Sequence, residues 1–370
     1  MINIAIVGVG NCCSSLYQGL HFYKEGVDNE GLMRTDIGSY KISDINVVCA
    51  FDIDVRKVGK NLADAIKQKP NCTPIFISKL DDGPIVRMGN PLDGVAEHML
   101  LYPEDERFKV SDEEFLNCED IVYILKERKV DILINYLPVG SQKATEFYAE
   151  CCLEANVSLL NCIPVFIASN PEWEKKFIDK GIPIIGDDMK SQFGASILSQ
   201  ALQELATKRG HKVKCHIQRN IGGNTDFLNM IDNKRVVSKK ISKENVIRFQ
   251  CKDSTETFIH AGPSEYIRFY KDNKIANFHL ELEGFMGSPV ILKAELSVID
   301  SPNSAGVVID AIRYLKVARE MGICGSLRGP SAFTQKTPPL QMELDAAIKE
   351  CDLLSKRQYS ALTEKQTKNL

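Results

Sequence analysis

The sequence predicts an α/β protein: a doubly wound parallel sheet, then a second α+β domain inserted before a helical return to the first. Three observations carry this. Over residues 1–191, short β-branched apolar runs alternate with amphipathic stretches, the pattern of strand-helix-strand units. Beyond them the hydrophobic period drops to two, as in half-covered antiparallel strands. And 370 residues exceed the roughly 150 that one domain commonly holds.

The expected strands of the parallel sheet are residues 2–8, 45–52, 131–137, 157–161 and 182–186. Between them, residues 55–68, 118–129, 141–155 and 172–180 repeat their apolar positions at three and four, as helices packed on a sheet do. Residues 24–44 and 70–112, the latter with Gly83-Pro84, Gly89, Pro91 and Gly94, show little periodicity and read as loops or flaps. A long helical pattern follows over 191–208. Then Phe278, Leu280 and Leu282 alternate with Asn277, His279, Glu281 and Glu283, and Leu292, Ala294, Leu296 and Val298 alternate with Lys293, Glu295 and Ser297. A turn at Gly287-Ser288-Pro289 joins the two runs. Residues 303–320 return to a helical pattern with Pro302 at its start. The expected organisation is therefore 1–191 for the first domain, 192–299 for the second, 300–352 for helices returning to the first sheet, and 353–370 for a polar tail.

Composition removes several function classes. With 44% hydrophobic and 26% charged residues the chain has material for a sizeable core, so disorder and fibrous repeats are excluded. A net charge of −3 and a pI near 6.1 give no basic footprint for nucleic acid. The apolar start lacks a basic leader and runs into Gly8-Val9-Gly10, so it reads as a first strand rather than a signal peptide. The uncharged run 155–171 is interrupted by Asn156, Asn161, Pro164 and Asn170, against a membrane span. Twelve cysteines are spread along the chain without a Cys-x-x-Cys pair, and Cys12-Cys13 and Cys151-Cys152 are chain neighbours. A reduced, cytoplasmic protein is expected.

Several motifs stand where a doubly wound sheet binds ligands, at the carboxyl ends of its strands. Gly8-Val9-Gly10-Asn11-Cys12-Cys13 follows a strand and opens a helix, so its glycines let a pyrophosphate approach the helix N-terminus; Cys13 replaces the usual third glycine. Asp52 ends the second strand, where a carboxylate accepts ribose hydroxyls and repels a 2′-phosphate, favouring NAD over NADP. The first loop excursion accounts for its distance from the glycines. Asn135-Tyr136-Leu137-Pro138 and Asn161-Cys162-Ile163-Pro164 follow two further strands. Gly186-Asp187-Asp188-Met189-Lys190-Ser191 crowds carboxylates, a lysine and a helix-starting serine at another exit, with Ser191 either capping the next helix or holding a phosphate. Asn220-Ile221-Gly222-Gly223-Asn224-Thr225-Asp226 concentrates amides, glycines and an acid. Lys239 and Lys243 share a face at a spacing of four. Each of these also has a plain reading as a turn, a cap or a solvated charge.

Together, five ordered motifs resemble the bacterial and archaeal myo-inositol-1-phosphate synthases: Ile6-Val7-Gly8-Val9-Gly10-Asn11, Gly186 to Ser191, Gly222-Gly223-Asn224-Thr225-Asp226-Phe227-Leu228-Asn229-Met230, Ser238-Lys239-Lys240-Ile241-Ser242-Lys243, and Asp300-Ser301-Pro302-Asn303-Ser304-Ala305-Gly306. The resemblance implies a Rossmann-type doubly wound parallel sheet with an inserted α+β catalytic and tetramerisation domain, hence a homotetramer. It implies isomerisation of glucose 6-phosphate to an inositol phosphate, with NAD reduced and reoxidised in one turnover. Each step makes or discharges negative charge on oxygen, a task for several fixed cations in a water-poor site.

By motif, Lys239 would attend the oxygen on carbon 5, Lys243 and Lys274 the phosphate, and Lys336 the aldehyde oxygen during ring closure. Asp188, Asn220, Asp226 and Asp300 match polar positions of the family site. Gly8, Gly10, Asn11, Asp52, Pro138, Tyr148, Asp187, Ser191 and Asp300 would contact the dinucleotide. Some relatives need a divalent cation, for which Asp188 or Asp226 is the candidate ligand; no metal-ligand spacing identifies one. A dehydrogenase of a phosphorylated polyol, consuming NAD, and a non-catalytic NAD-binding protein are the alternatives.

Overall fold

The computed structural model describes residues 1–24, 29–249 and 257–359. Residues 360–370 of the expected polar tail lie outside that description. The first sheet is built from β1 (Ile2–Val7), β2 (Ile45–Asp52), β3 (Val86–Met88), β4 (Ile132–Asn135), β5 (Ser158–Asn161) and β6 (Pro183–Ile185). The second holds β7 (Lys212–Gly222), β8 (Phe258–Tyr266), β9 (Asn273–Glu283) and β10 (Pro289–Ile299), and β11 (Gly325–Ser326) returns to the first.

The first sheet runs β11-β6-β5-β4-β1-β2-β3, and every pair is parallel. Its central strands are apolar and buried almost residue by residue, because helices cover both faces. On one face lie α1 (Asn11–Phe22) and, from the far end of the chain, α7 (Asp300–Glu320) and α9 (Leu344–Ser355), through Leu16, Leu20, Val308, Ile312, Leu315 and Leu354. On the other lie α2 (Cys118–Glu127), α3 (Gln142–Ala155) and α4 (Pro171–Asp179), through Ile121, Leu125, Ala149, Cys152 and Phe177. The chain thus leaves this domain after β6 and comes back at Asp300.

The second sheet runs β8-β7-β9-β10. β9 is antiparallel to both neighbours and in the register that the alternation implies, with Phe278 opposite Ala294 and Leu280 opposite Leu292. β8 joins β7 in parallel, which the two-residue period did not foresee. α5 (Ala195–Lys208) covers one face, Ala195, Leu198 and Leu202 meeting Ala276, Phe278 and Leu280. α6 (Asn233–Arg248) packs on β8 through Ile247, Ile259 and Ala261. α8 (Arg328–Thr334) lies between β11 and α9.

Two helix expectations change. Of residues 55–68 only Leu62–Ala65 is helical. Gly59 at φ 79° turns the chain so that its N–H bonds to Val86 O, which stitches the segment to β3 instead of extending a helix. And α5 starts at Ala195 with Gly194 in the cap position, not at Ser191. Ser191 sits in a tight turn against Gly194, where a Cβ would come within 2.7 Å of the Ser191 Cβ.

Candidate active site

The carboxyl ends of β1, β2, β4, β5 and β6 open on one cleft, and the second domain closes its far side. The space between its walls, open solvent at the mouth included, is about 1630 Å³. Gly8, Gly10, Asn11, Asp52, Pro138, Tyr148, Asp188, Ser191, Asn220, Asp226, Lys239, Lys243, Lys274, Asp300 and Lys336 all line it.

One wall is the glycine turn. Gly8, at φ 93°, lies so close to β4 that a Cβ would stand 2.6 Å from Tyr136 O. At Gly10 a Cβ would meet nothing within 4 Å, so that space belongs to the cleft. Gly10 caps α1 without a side-chain acceptor, which leaves the helix's first N–H groups for an anion. Tyr136 carries a buried hydroxyl with no partner among the described residues. These features fit NAD.

Asp52 lies where expected, yet its oxygens already accept the N–H groups of Val9 at 2.6 Å and of Ile53 and Asp54 at 2.8 Å. It fixes the glycine turn, and any ribose hydroxyl shares those oxygens. Tyr148 is buried beneath residues 89–90, its hydroxyl accepting from Asn90 N–H at 3.3 Å.

Asp187 departs from expectation. It is not on the cleft wall: its fully buried carboxylate accepts from Asn161 Nδ2 at 2.7 Å, the N–H groups of Ile167, Ala168 and Ser169, and the Ser169 hydroxyl. The chain bends at these two residues, with Asp188 at φ 62°, so Asp187 holds the loop after β5 while Asp188 faces the cleft. Burial pushes the Asp187 carboxyl up to about 6.

The opposite wall carries four ammonium groups and three carboxylates. The α-helical period of α6 turns Lys239, Ser242, Lys243 and Val246 inward together. Lys239 Nζ and Lys336 Nζ both donate to Asp188 Oδ1 at 2.9 Å, and Ser242 Oγ donates to Oδ2 at 2.7 Å. Lys336 also donates to Met189 O at 2.6 Å. Its backbone N–H bonds Asp188 O, so the two segments brace each other. Lys274, at the start of β9, pairs with Asp300, the first residue of α7. Asn220 is held by Gln218 Nε2 at 3.0 Å and by its own bond to Gly262 O at 2.8 Å.

Burial alone would raise the Asp188 carboxyl, but Lys239 and Lys336 outweigh it and hold it well below the usual range. Burial opposes charge on Lys239, and the attraction of Asp188 and Asp226 keeps it raised regardless. Lys336 is depressed to about 8 by burial, partly offset by Asp188. Burial first, then repulsion from Lys239, Lys274 and Lys336, pushes Lys243 well down. Asp188 and Asp300 are already taken by the other lysines, so Lys243 is an 8% exposed ammonium with no ion pair among the described residues. Burial raises Asp226.

Sequence reasoning missed two residues that brace the site. Lys57, 1% exposed, donates to Val9 O at 2.8 Å and Asn71 Oδ1 at 2.9 Å and so pins the glycine turn from behind. Nothing in its charged surroundings marks it. Asp272 accepts from Asn224 Nδ2 at 3.0 Å and Ser301 Oγ at 2.8 Å, joining the Asp226 segment to the start of α7. It stands two residues before Lys274, a position that invited inspection. For a divalent cation the residues do not fit: among those described no three acidic, histidine or cysteine side chains converge, and both Asp188 oxygens are engaged.

A family model described as myo-inositol-1-phosphate synthase matches residues 194–301. The chain is 44% identical over 350 residues to the inositol-3-phosphate synthase of Mycobacterium tuberculosis (strain CDC 1551 / Oshkosh), covering 94% of this chain and 93% of that one. It is 42% identical over 355 residues to that of Corynebacterium glutamicum, covering 94% and 96%. Its fold is similar to the crystal structure of a myo-inositol-1-phosphate synthase-related protein from Thermotoga maritima, with TM-score 0.82 at 23% identity, covering 98% of this chain and all of that one. With identity of this level running nearly end to end, the chain belongs to the myo-inositol-1-phosphate synthase family.

Proposed function

We propose that the protein is an inositol-3-phosphate synthase, converting D-glucose 6-phosphate to 1D-myo-inositol 3-phosphate (L-myo-inositol 1-phosphate). The reaction passes through oxidation at carbon 5, enolisation, intramolecular aldol closure and re-reduction. The observation that carries this is Lys243: a buried ammonium held among three others, in a cleft that also has a dinucleotide turn. Such a group calls for an anion, and a substrate phosphate supplies one.

Bound NAD, held by the glycine turn, Asp52 and Tyr136, supplies the hydride acceptor and donor. Lys243 and Lys274 grip the phosphate beside the N-terminus of α5, where Ala195 and Ser196 line the cleft. Lys239, kept cationic by Asp188, stabilises the oxygen on carbon 5 as charge develops there. Lys336, held near 8, can give a proton to the carbon 1 oxygen at ring closure and take it back near neutrality. Asp188 positions both lysines, and Asp300 positions Lys274. The reading includes a homotetramer, for which β10 offers an edge strand exposing Ile291 beside Phe285 and Met286, and cytoplasmic residence.

Glucose 6-phosphate supplied with a trace of NAD tests it. The expected result is an inositol phosphate in the phosphorus NMR spectrum with no net change at 340 nm. Reduced cofactor accumulating one for one with a ketosugar product would instead establish a dehydrogenase.

A further inference from the structure

Away from the cleft, on the face of the first sheet covered by α2 and α3, two thiols touch. Cys151 Sγ–H donates to Cys118 Sγ at 3.2 Å. Cys118 is the first residue of α2 and half-buried, and Cys151 is buried on α3, one turn beyond Tyr148. Among the described residues no other two sulfurs are in contact: Cys12 meets the Ser304 hydroxyl and Cys72 the Asn11 amide.

We propose that Cys118 and Cys151 form a reversible modification site, in which a peroxide converts the pair to a disulfide linking α2 to α3. Cys118, the less buried of the two, attacks a peroxide oxygen; the O–O bond breaks, water leaves, and Cys118 becomes a sulfenic acid. Cys151 sulfur then attacks Cys118 sulfur, the S–O bond breaks, and a second water carries off the hydroxyl and the Cys151 proton. Two thiols lose two electrons and two protons, and one peroxide becomes two waters. Burial first, and then the neighbouring sulfur, push the Cys151 thiol upward, which disfavours Cys151 as the first attacker. The bond closes a loop between residues 33 positions apart, so it restricts the unfolded chain and raises the melting temperature.

The experiment treats the NAD-loaded full-length protein with one equivalent of hydrogen peroxide, alkylates it, and maps peptides by mass spectrometry with and without thiol reductant. The expected result is a linked peptide pair carrying Cys118 and Cys151, lighter by two hydrogens, released by reductant, with Tm several degrees higher than in the reduced protein. Cys118→Ser should abolish both changes. Cys151→Ser should leave a sulfenic acid on Cys118 that dimedone traps, and this variant separates Cys151 from its neighbour Cys152. Oxidation appearing first at other cysteines, or a Tm rise that survives in Cys118→Ser, would overturn the proposal.

Discussion

Two buried lysines on opposite walls of the cleft differ in what surrounds them. Lys57, behind the glycine turn, donates to Val9 O and Asn71 Oδ1 and lies 3.9 Å from Asp52 Oδ2. Lys243 faces three other ammonium groups and has no ion pair among the described residues. A saturated buried charge holds the fold, because removing it orphans its partners. A buried charge without a partner is costly to the free protein, and the cost is relieved when a ligand of opposite sign arrives. The glycine wall is therefore preorganised by its own bonds, whereas the lysine wall is completed by substrate.

Substitutions can break this contrast. The largest effect is expected at Lys239: Lys239→Ala should lower turnover by about 10³-fold, the upper end for one donor to a developing oxyanion. Equilibrium titration should find NAD affinity nearly intact; near-normal turnover would remove Lys239 from the mechanism. Lys243→Met should cost about 10²-fold in kcat/KM with Tm unchanged or higher, since an unpaired buried cation is gone. Lys57→Met should do the reverse, lowering Tm by several degrees while orphaning Val9 O and Asn71. If both variants shift Tm alike, the two lysines are not of different kinds.

pH sharpens the same contrast. Because Lys336 is depressed to about 8, its charged form is lost as pH rises through 8, well before an ordinary lysine would lose it. If it protonates the carbon 1 oxygen, kcat/KM should fall about tenfold per unit above that pH. A limb appearing only above pH 10 would assign the proton to another group. The smallest effect is expected at Asp52, since its oxygens serve the backbone first: Asp52→Asn should weaken NAD several-fold and lessen discrimination against NADP, measured by binding of each. An unchanged preference would move the ribose contact elsewhere.

The first sheet was legible because its strands are buried on both faces and so are written in apolar residues: the ends of β1, β2, β4 and β5 fall within two residues of expectation. β3 escaped because three residues, Val86–Met88, are too few for a period. β7 escaped for a different reason. Its inward positions are His216, Gln218 and Asn220, polar groups that Ser199, Gln203 and Gly262 satisfy in the interior, so alternation in hydrophobicity is absent while alternation in burial is present. α6 hides similarly, because the face it buries carries Lys239 and Lys243. The site lysines were found through the family resemblance; spacing alone gave only a shared face for two of them. What no local pattern could supply was side-chain direction, hence the opposite turns of Asp187 and Asp188 and the displaced start of α5.

The central claim is that substrate phosphate supplies the missing partner of Lys243. Calorimetric titration of the NAD-bound enzyme with D-glucitol 6-phosphate, whose carbon 1 cannot undergo aldol closure, tests it when run at a series of pH values in buffers of different ionisation enthalpy. A lysine whose pKa is lowered in the free site and raised again by an anion takes up protons on binding at pH values between the two. The account predicts net proton uptake in the native enzyme, much reduced in Lys243→Met. Binding of equal strength with no proton uptake, or uptake unchanged in the variant, would contradict it.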